Sequence, residues 1–286
     1  MSASNLLGRT FLVTGANSGI GRAISDVLAS HSATVILAGR SIERTQPVVD
    51  AIRKAHPEAT VDFLQLDLAN WASIRRATRE CLRRYPTVDV LVNNAGVAIT
   101  KGLSSDGYHL TYATNHLGPF LFTQLLLPAL RAAPQGRIVN ISSVAHRTVK
   151  HLDWTLLTLA PSRLKGTFQD YAATKLMNIL HAKELARHLA GTPATTYAVH
   201  PGHVASNIWR AVPGPLQWLI KFFLISNEDA ARTPLYCATA PELTIVSGRY
   251  YDKQREAAPS ALADDPDLAS ELWQRSLQAT GAPNEP

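Results

Sequence analysis

Tyr171 and Lys175 stand four residues apart in a stretch with helical patterning, so both side chains project from one helix face. A phenol with an ordinary pKa of ~10 is a poor acid–base catalyst near neutrality. An ammonium beside it stabilises the phenolate and draws that pKa toward the working range, which gives the pair the makings of an acid–base couple. The same spacing also arises in plain surface pairs, so its meaning depends on what surrounds it. A second candidate is the loop Thr14-Gly15-Ala16-Asn17-Ser18-Gly19-Ile20-Gly21, where glycines recur as G-x-x-x-G-x-G between an apolar strand and a helix. Glycines permit a tight turn and let backbone N–H groups approach an anion. The positive end of the helix dipole then favours a pyrophosphate there. Glycine turns of this kind also serve packing alone.

The elements that must hold these groups alternate along the chain. Short apolar runs at 10–14, 34–37, 61–66, 88–92, 137–141 and 195–199 read as strands. Helices are expected near 20–30, over 41–54 and 71–84, around 107–130 and over 169–189. Apolar strands separated by helices imply parallel pairing with both faces covered. The expectation is an α/β fold: one doubly wound parallel sheet of about seven strands, with helices on both faces. No repeat or linker divides the chain, so residues 1–286 read as one domain with its core at about 8–250. Three segments break the rhythm. Residues 144–168 form a long connection, and residues 257–286 read as a peripheral helix and tail. The third, 213–225, is strongly apolar; Leu216, Trp218, Leu219, Phe222 and Phe223 partly share one helix face. That segment could be a lid over a substrate, a membrane contact or a piece of core.

Composition narrows the class further. The chain has 286 residues, 46% hydrophobic and 17% charged, which excludes a disordered protein. Lys and Arg number 28 against 22 Asp and Glu, a net charge of +6. Part of that excess, Arg75, Arg76, Arg79, Arg83 and Arg84 with Glu80 among them, shares the expected helix at 71–84. No aromatic platform accompanies it, so it reads as a solvated face rather than a nucleic-acid site. The two cysteines, Cys81 and Cys237, exclude a disulfide scaffold and suit a reducing compartment as free structural thiols. Thiolate reactivity at Cys81, on the arginine-rich helix, is the sharper alternative. His116, His146, His200 and His203 lack metal-ligand spacing, and no metal is expected. The uncharged stretch 107–130 contains Asn115, His116, Gly118, Pro119 and Gln124, which suits a buried helix better than a membrane span. With a short, polar start, a soluble cytoplasmic protein is expected, with peripheral membrane contact as the alternative.

More motifs follow in order. Asp67 ends the third strand, and Asn93-Asn94-Ala95-Gly96 the fourth. Asn115 lies in the next helix, Ser142-Ser143 end the fifth strand, and Pro201-Gly202 the sixth. With the glycine loop and the Tyr171–Lys175 pair, these resemble the short-chain dehydrogenase/reductase family over roughly residues 8–250. Asn115-His116-Leu117-Gly118, Ser142-Ser143-Val144-Ala145-His146 and Tyr197-Ala198-Val199-His200-Pro201-Gly202 are similar to the retinol dehydrogenase branch. Members of that branch commonly carry an N-terminal membrane anchor, and none is expected here.

The resemblance implies a Rossmann-type fold and hydride transfer between a nicotinamide and a carbonyl or alcohol carbon. It makes Tyr171 the acid–base group. Lys175 becomes its partner and a ligand of the nicotinamide ribose. Ser143, or Ser142 as the competing candidate, would bond the substrate oxygen. Asn115 would hold a water on a relay to Lys175, unless it is simply a buried amide bonding backbone. Gly15, Asn17, Ser18, Gly19, Ile20 and Gly21 would surround the pyrophosphate. Asp67 and Leu68 would flank the adenine, with Asn93, Ala95 and Gly96 on the ribose side. Pro201, Gly202, Val204 and Ser206 would lie at the nicotinamide end. After the second strand, where a carboxylate would select NAD, Gly39 leaves space and Arg40 offers a charged fork to a 2′-phosphate, with Arg44 four residues on. The cofactor expected is therefore NADP(H), although Arg40 could merely cap a surface. A bulky apolar substrate is expected against Val144, His146, His203, Trp218 and Phe222: a retinoid, an aromatic polyketide ketone or a lipid aldehyde. A homodimer or homotetramer is the expected assembly. The other reading is a non-catalytic NADP(H)-binding regulator on the same fold.

Overall fold

The computed structural model describes residues 6–158, 166–202 and 225–284. His203, Val204, Ser206, Trp218 and Phe222 lie outside the described residues, as does all of the apolar segment 213–225 except Ile225.

Eight strands form one sheet in the order β3-β2-β1-β4-β5-β6-β7-β8. They are β1 (Thr10–Thr14), β2 (Thr34–Gly39), β3 (Thr60–Gln65), β4 (Val90–Asn93), β5 (Arg137–Ile141), β6 (Thr195–His200), β7 (Arg249–Asp252) and β8 (Arg255–Glu256). The first seven pair in parallel, and β8 turns back antiparallel on β7. The extra strand beyond the expected seven is two exposed residues reached through Lys253 and Gln254, both at positive φ. A strand that short and polar carries no apolar run to betray it.

Alternation along each strand explains the continuous apolar runs. In β1, Phe11 and Val13 join one buried layer while Leu12 enters the opposite one; in β2, Val35 and Leu37 oppose Ile36 in the same way. Both faces are covered, so both sets must be apolar. Helices α1 (Gly19–Ser30) and α2 (Ile42–Ala55) cover one face. The other face carries α3 (Trp71–Arg84), α5 (Gly118–Ala132) and α6 (Phe168–His188). Helix α7 (Asn227–Thr239) joins the α1 layer. The order reverses between β1 and β4, which opens a crevice beyond the carboxyl ends of those strands.

The region expected as one helix around 107–130 is broken. A short turn, α4 (Leu110–Tyr112), runs into a π-helical turn at Ala113–Leu117 before α5 begins. One added residue per turn leaves no trace in a stretch without charges or breakers before Gly118. The C-terminal helix α8 (Pro266–Thr280) forms an outer layer on α6, and it buries Leu272 and Trp273. Its tail is tied down: the Arg75 guanidinium donates to the carbonyls of Thr280 (3.1 Å) and Gly281 (2.9 Å). The outer edge of β3 is capped as well. Arg53 donates to Val61 O (2.7 Å) and Arg84 to Phe63 O (3.1 Å), and both also pair with Asp62. Much of the basic helix face therefore serves structure. Cys81 and Cys237 are buried free thiols, and burial pushes the Cys81 thiol up to about 12, which removes the reactive alternative. No helix among the described residues is long and apolar enough to cross a membrane.

Candidate active site

At the reversal of the sheet, the loop after β1 meets the loop after β4. Gly15 sits at φ +65°, and a Cβ there would fall 2.9 Å from the Ala95 Cα, so only glycine lets the two backbones touch. Thr14 and Asn94 lock the contact. Asn94 N–H and Ala95 N–H both donate to Thr14 Oγ1 at 3.0 Å, and the Asn94 amide donates to Thr14 O at 2.8 Å. Both residues stand inside the quoted motifs, but the sequence assigns neither a role of its own. Beyond the turn, Ser18 caps α1 with no side-chain hydrogen bond, and the first helical turn holds no acid. Ser18 and Gly19 are exposed, Asn17 and Ile20 half-buried, and Gly21 buried. A helix start with open donors and no competing carboxylate fits a pyrophosphate.

Cations wait at the end of β2. Arg40 and Arg44 are exposed, and neither enters an ion pair among the described residues. Gly39 packs against Thr45, where a Cβ would come within 2.9 Å of the hydroxyl oxygen. After β3, Asp67 is half-buried and accepts from Ala69 N–H (2.9 Å), while Leu68 is buried. Asn93 departs from expectation. Its amide donates to Thr123 Oγ1 and Asn140 Oδ1, both at 3.0 Å, so its side chain is directed into the fold. Gly96 is exposed, and a Cβ there would stand 3.4 Å from Asn115 Oδ1 and 3.5 Å from Lys175 Nζ. Pro201 is buried and Gly202 is half-buried at φ +99°.

Helix α6 begins with a capping box between Thr167 and Asp170, which fixes the turn that presents Tyr171. Lys175 is buried one turn on. Its Nζ lies 5.4 Å from the Tyr171 ring centroid and donates to Ile141 O at 2.9 Å. The π-helical turn brings Asn115 to the same place: its amide donates to Val97 O (2.8 Å) and Thr174 Oγ1 (3.0 Å), while Oδ1 accepts from Val97 N–H (2.8 Å). The two serines part company. Ser142 is buried and donates to Lys175 O (2.7 Å), which pins β5 to α6. Ser143 is half-buried, accepts from Ala145 N–H (3.2 Å) and is the polar neighbour of the Tyr171 phenol.

Residues 9–152 match the short chain dehydrogenase family. A Bos taurus protein, dehydrogenase/reductase SDR family member 13, is 40% identical over 97% of this chain and 74% of its own length. Homo sapiens retinol dehydrogenase 13 is 36% identical over 98% of this chain and 87% of its own. The chain belongs to the short-chain dehydrogenase family. A crystal structure of an uncharacterised Mycobacterium paratuberculosis protein shares this fold, with a TM-score of 0.78 at 30% identity, covering 100% of this chain and 99% of that one. Short-chain dehydrogenases are oxidoreductases that use nicotinamide cofactors on CH–OH and C=O groups of small molecules.

For a short-chain dehydrogenase the electrostatics of the tyrosine matter most. What shifts the phenol is its own burial rather than the charge of Lys175. Burial raises Tyr171 to about 12, and the hydrogen bond with Ser143 works in the other direction. Burial also lowers Lys175 to about 8. Both charged forms lose solvation, and the ammonium points at a carbonyl rather than at the phenol oxygen. At the substrate end Val144 is half-buried, but His146 is fully buried with both ring nitrogens engaged. It cannot line a substrate as expected. The sequence reading missed Phe168, 43% exposed with its ring 6.2 Å from that of Tyr171, and the exposed Ile99 and Leu103. For Phe168 the available signal was its place three residues before Tyr171 on the same helix face. The described residues contain no cluster of three or more groups able to hold a metal.

Proposed function

We propose that the protein is an NADP(H)-dependent oxidoreductase that interconverts a carbonyl and an alcohol on a bulky apolar substrate. The observation that carries this reading is the convergence of the Tyr171 phenol, the Ser143 hydroxyl and the Lys175 ammonium beside the sheet's switch point. The dinucleotide supplies or accepts the hydride at the substrate carbon. Tyr171 donates its proton to the substrate oxygen during reduction and recovers it during oxidation, a contribution of roughly 10²–10⁴ in rate. Ser143 donates to the same oxygen and keeps it against the phenol. Lys175 is the cation nearest the phenolate that forms, and Asn115 with Thr174 holds the neighbouring backbone of Val97 in place. Arg40, with Arg44 beside it, selects the 2′-phosphate. Phe168, Ile99 and Leu103 argue for an apolar substrate, as do the retinol dehydrogenase names of the relatives. Retinoids, polyketide-like ketones and lipid aldehydes all fit that description.

The test is NADPH consumption by the purified protein with a panel of aldehydes and ketones graded by size. Turnover that rises with apolar bulk is expected. Tight NADPH binding with no turnover on any carbonyl would instead mark a regulator that senses the cofactor.

A further inference from the structure

His146 is buried at 0% exposure, two residues beyond Val144, and its ring joins two distant segments. Nδ1 lies 2.6 Å from Ser143 O, and Ser260 N–H approaches Nε2 at 3.0 Å. A carbonyl only accepts and an amide N–H only donates, so the ring is neutral with its proton on Nδ1. The His146 backbone N–H also donates to Ser143 O, at 3.1 Å, so one residue grips that carbonyl twice. The far segment is held by the next residue too: the Arg147 guanidinium donates to Ala258 O and Pro259 O. The Tyr250 ring packs edge-on against the imidazole at 5.2 Å and limits its rotation.

We propose that His146 is a positioning residue for Ser143, anchoring the backbone of the substrate-bonding serine to residues 258–260. Ser143 follows β5 in extended conformation and caps the turn Val144–Thr148, so its hydroxyl direction depends on how firmly that turn is held. The inference rests on the enzymatic reading above. Misplacing a group that orients the reacting atoms costs up to about hundredfold in rate without weakening distant contacts.

Two substitutions separate positioning from mere support. His146→Asn keeps a donor where Nδ1 stands and loses the reach to Ser260. His146→Gln places its amide near the Nε2 position and abandons the Ser143 carbonyl. The expected result is near-normal kcat with a lowered Tm for His146→Asn. His146→Gln should show the reverse: kcat down about tenfold to hundredfold, dinucleotide affinity unchanged and a Tm closer to wild type. If kcat in both variants simply tracks the loss of Tm, or neither changes kcat, the proposal fails. Nitrogen NMR of the wild-type ring supplies a readout independent of turnover. A proton on Nδ1 is expected, and a proton on Nε2 would overturn the bridge. A wild type inactive on every carbonyl would defeat the enzymatic reading instead, and the ring tautomer would still decide the bridge.

Discussion

Replacing Tyr171 by Phe keeps the buried ring and removes only the transferable proton. Turnover should fall by roughly 10²–10⁴, while NADPH binding, followed by fluorescence titration, persists. Substantial turnover in the purified variant would defeat the proton route. At Arg40 the change to Ala should weaken NADPH selectively. A hydrogen bond to a charged group contributes about 1.5–3 kcal/mol, and exposure places Arg40 at the low end, so a loss of about tenfold is expected. NADH affinity should hardly move; equal losses for both cofactors would make Arg40 structural. Side-chain types in order were enough to nominate this site, because Tyr171, Lys175, the glycine loop and Arg40 act through their own chemistry. The family resemblance favoured Ser143 over Ser142, but residue type alone could not. Both are hydroxyls at one strand end, and only the direction of each pleat sends one to α6 and the other to the phenol. Nor could it show that the Asn93 amide is engaged inside the fold, or that His146 faces two backbones rather than a substrate.

Among the elements, α3 and the strands β1, β3, β5 and β6 were legible to within a residue, since an amphipathic helix and a two-faced strand each carry their own period, whereas no run was assigned to β7. The π-helical turn at Ala113–Leu117 was not, because four of its five residues are buried and the added residue changes register rather than composition. Helix α8 was expected to be peripheral, and it is the outermost layer. Its Trp273 is nonetheless only 2% exposed, stacked on His188 at 4.2 Å and edge-on to Phe120 at 5.0 Å. Trp273→Ala should cost about 3–5 kcal/mol in urea unfolding, with the cavity opening beneath α6. A loss under about 1 kcal/mol would mean that α8 is dispensable to the fold.

The whole molecule should weaken in acid, and two buried histidines give the reason. His116 and His181 are fully enclosed, with ring centroids 6.1 Å apart. Burial lowers His181 to about 3 and His116 well below its usual range. Both folded-state values are depressed, so the unfolded chain binds more protons below the ordinary ~6.5. Their stabilisation is complete above that pH and is lost progressively as pH falls from there toward about 3. Each ring then removes up to about 1.4 kcal/mol per pH unit. A Tm that stays flat between neutral and mildly acidic buffers would show that the rings accept protons without unfolding. The guanidinium clasps on β3 bear on a different property. Free carbonyls along an outermost strand invite a stranger's backbone to add itself, and from there to fibrils. Arg53 and Arg84 already occupy those of Val61 and Phe63, and the opposite margin ends in a two-residue strand. Among the described residues neither border leaves a long open ladder, so crowded or partly heated solutions should resist amyloid-like growth from the native state.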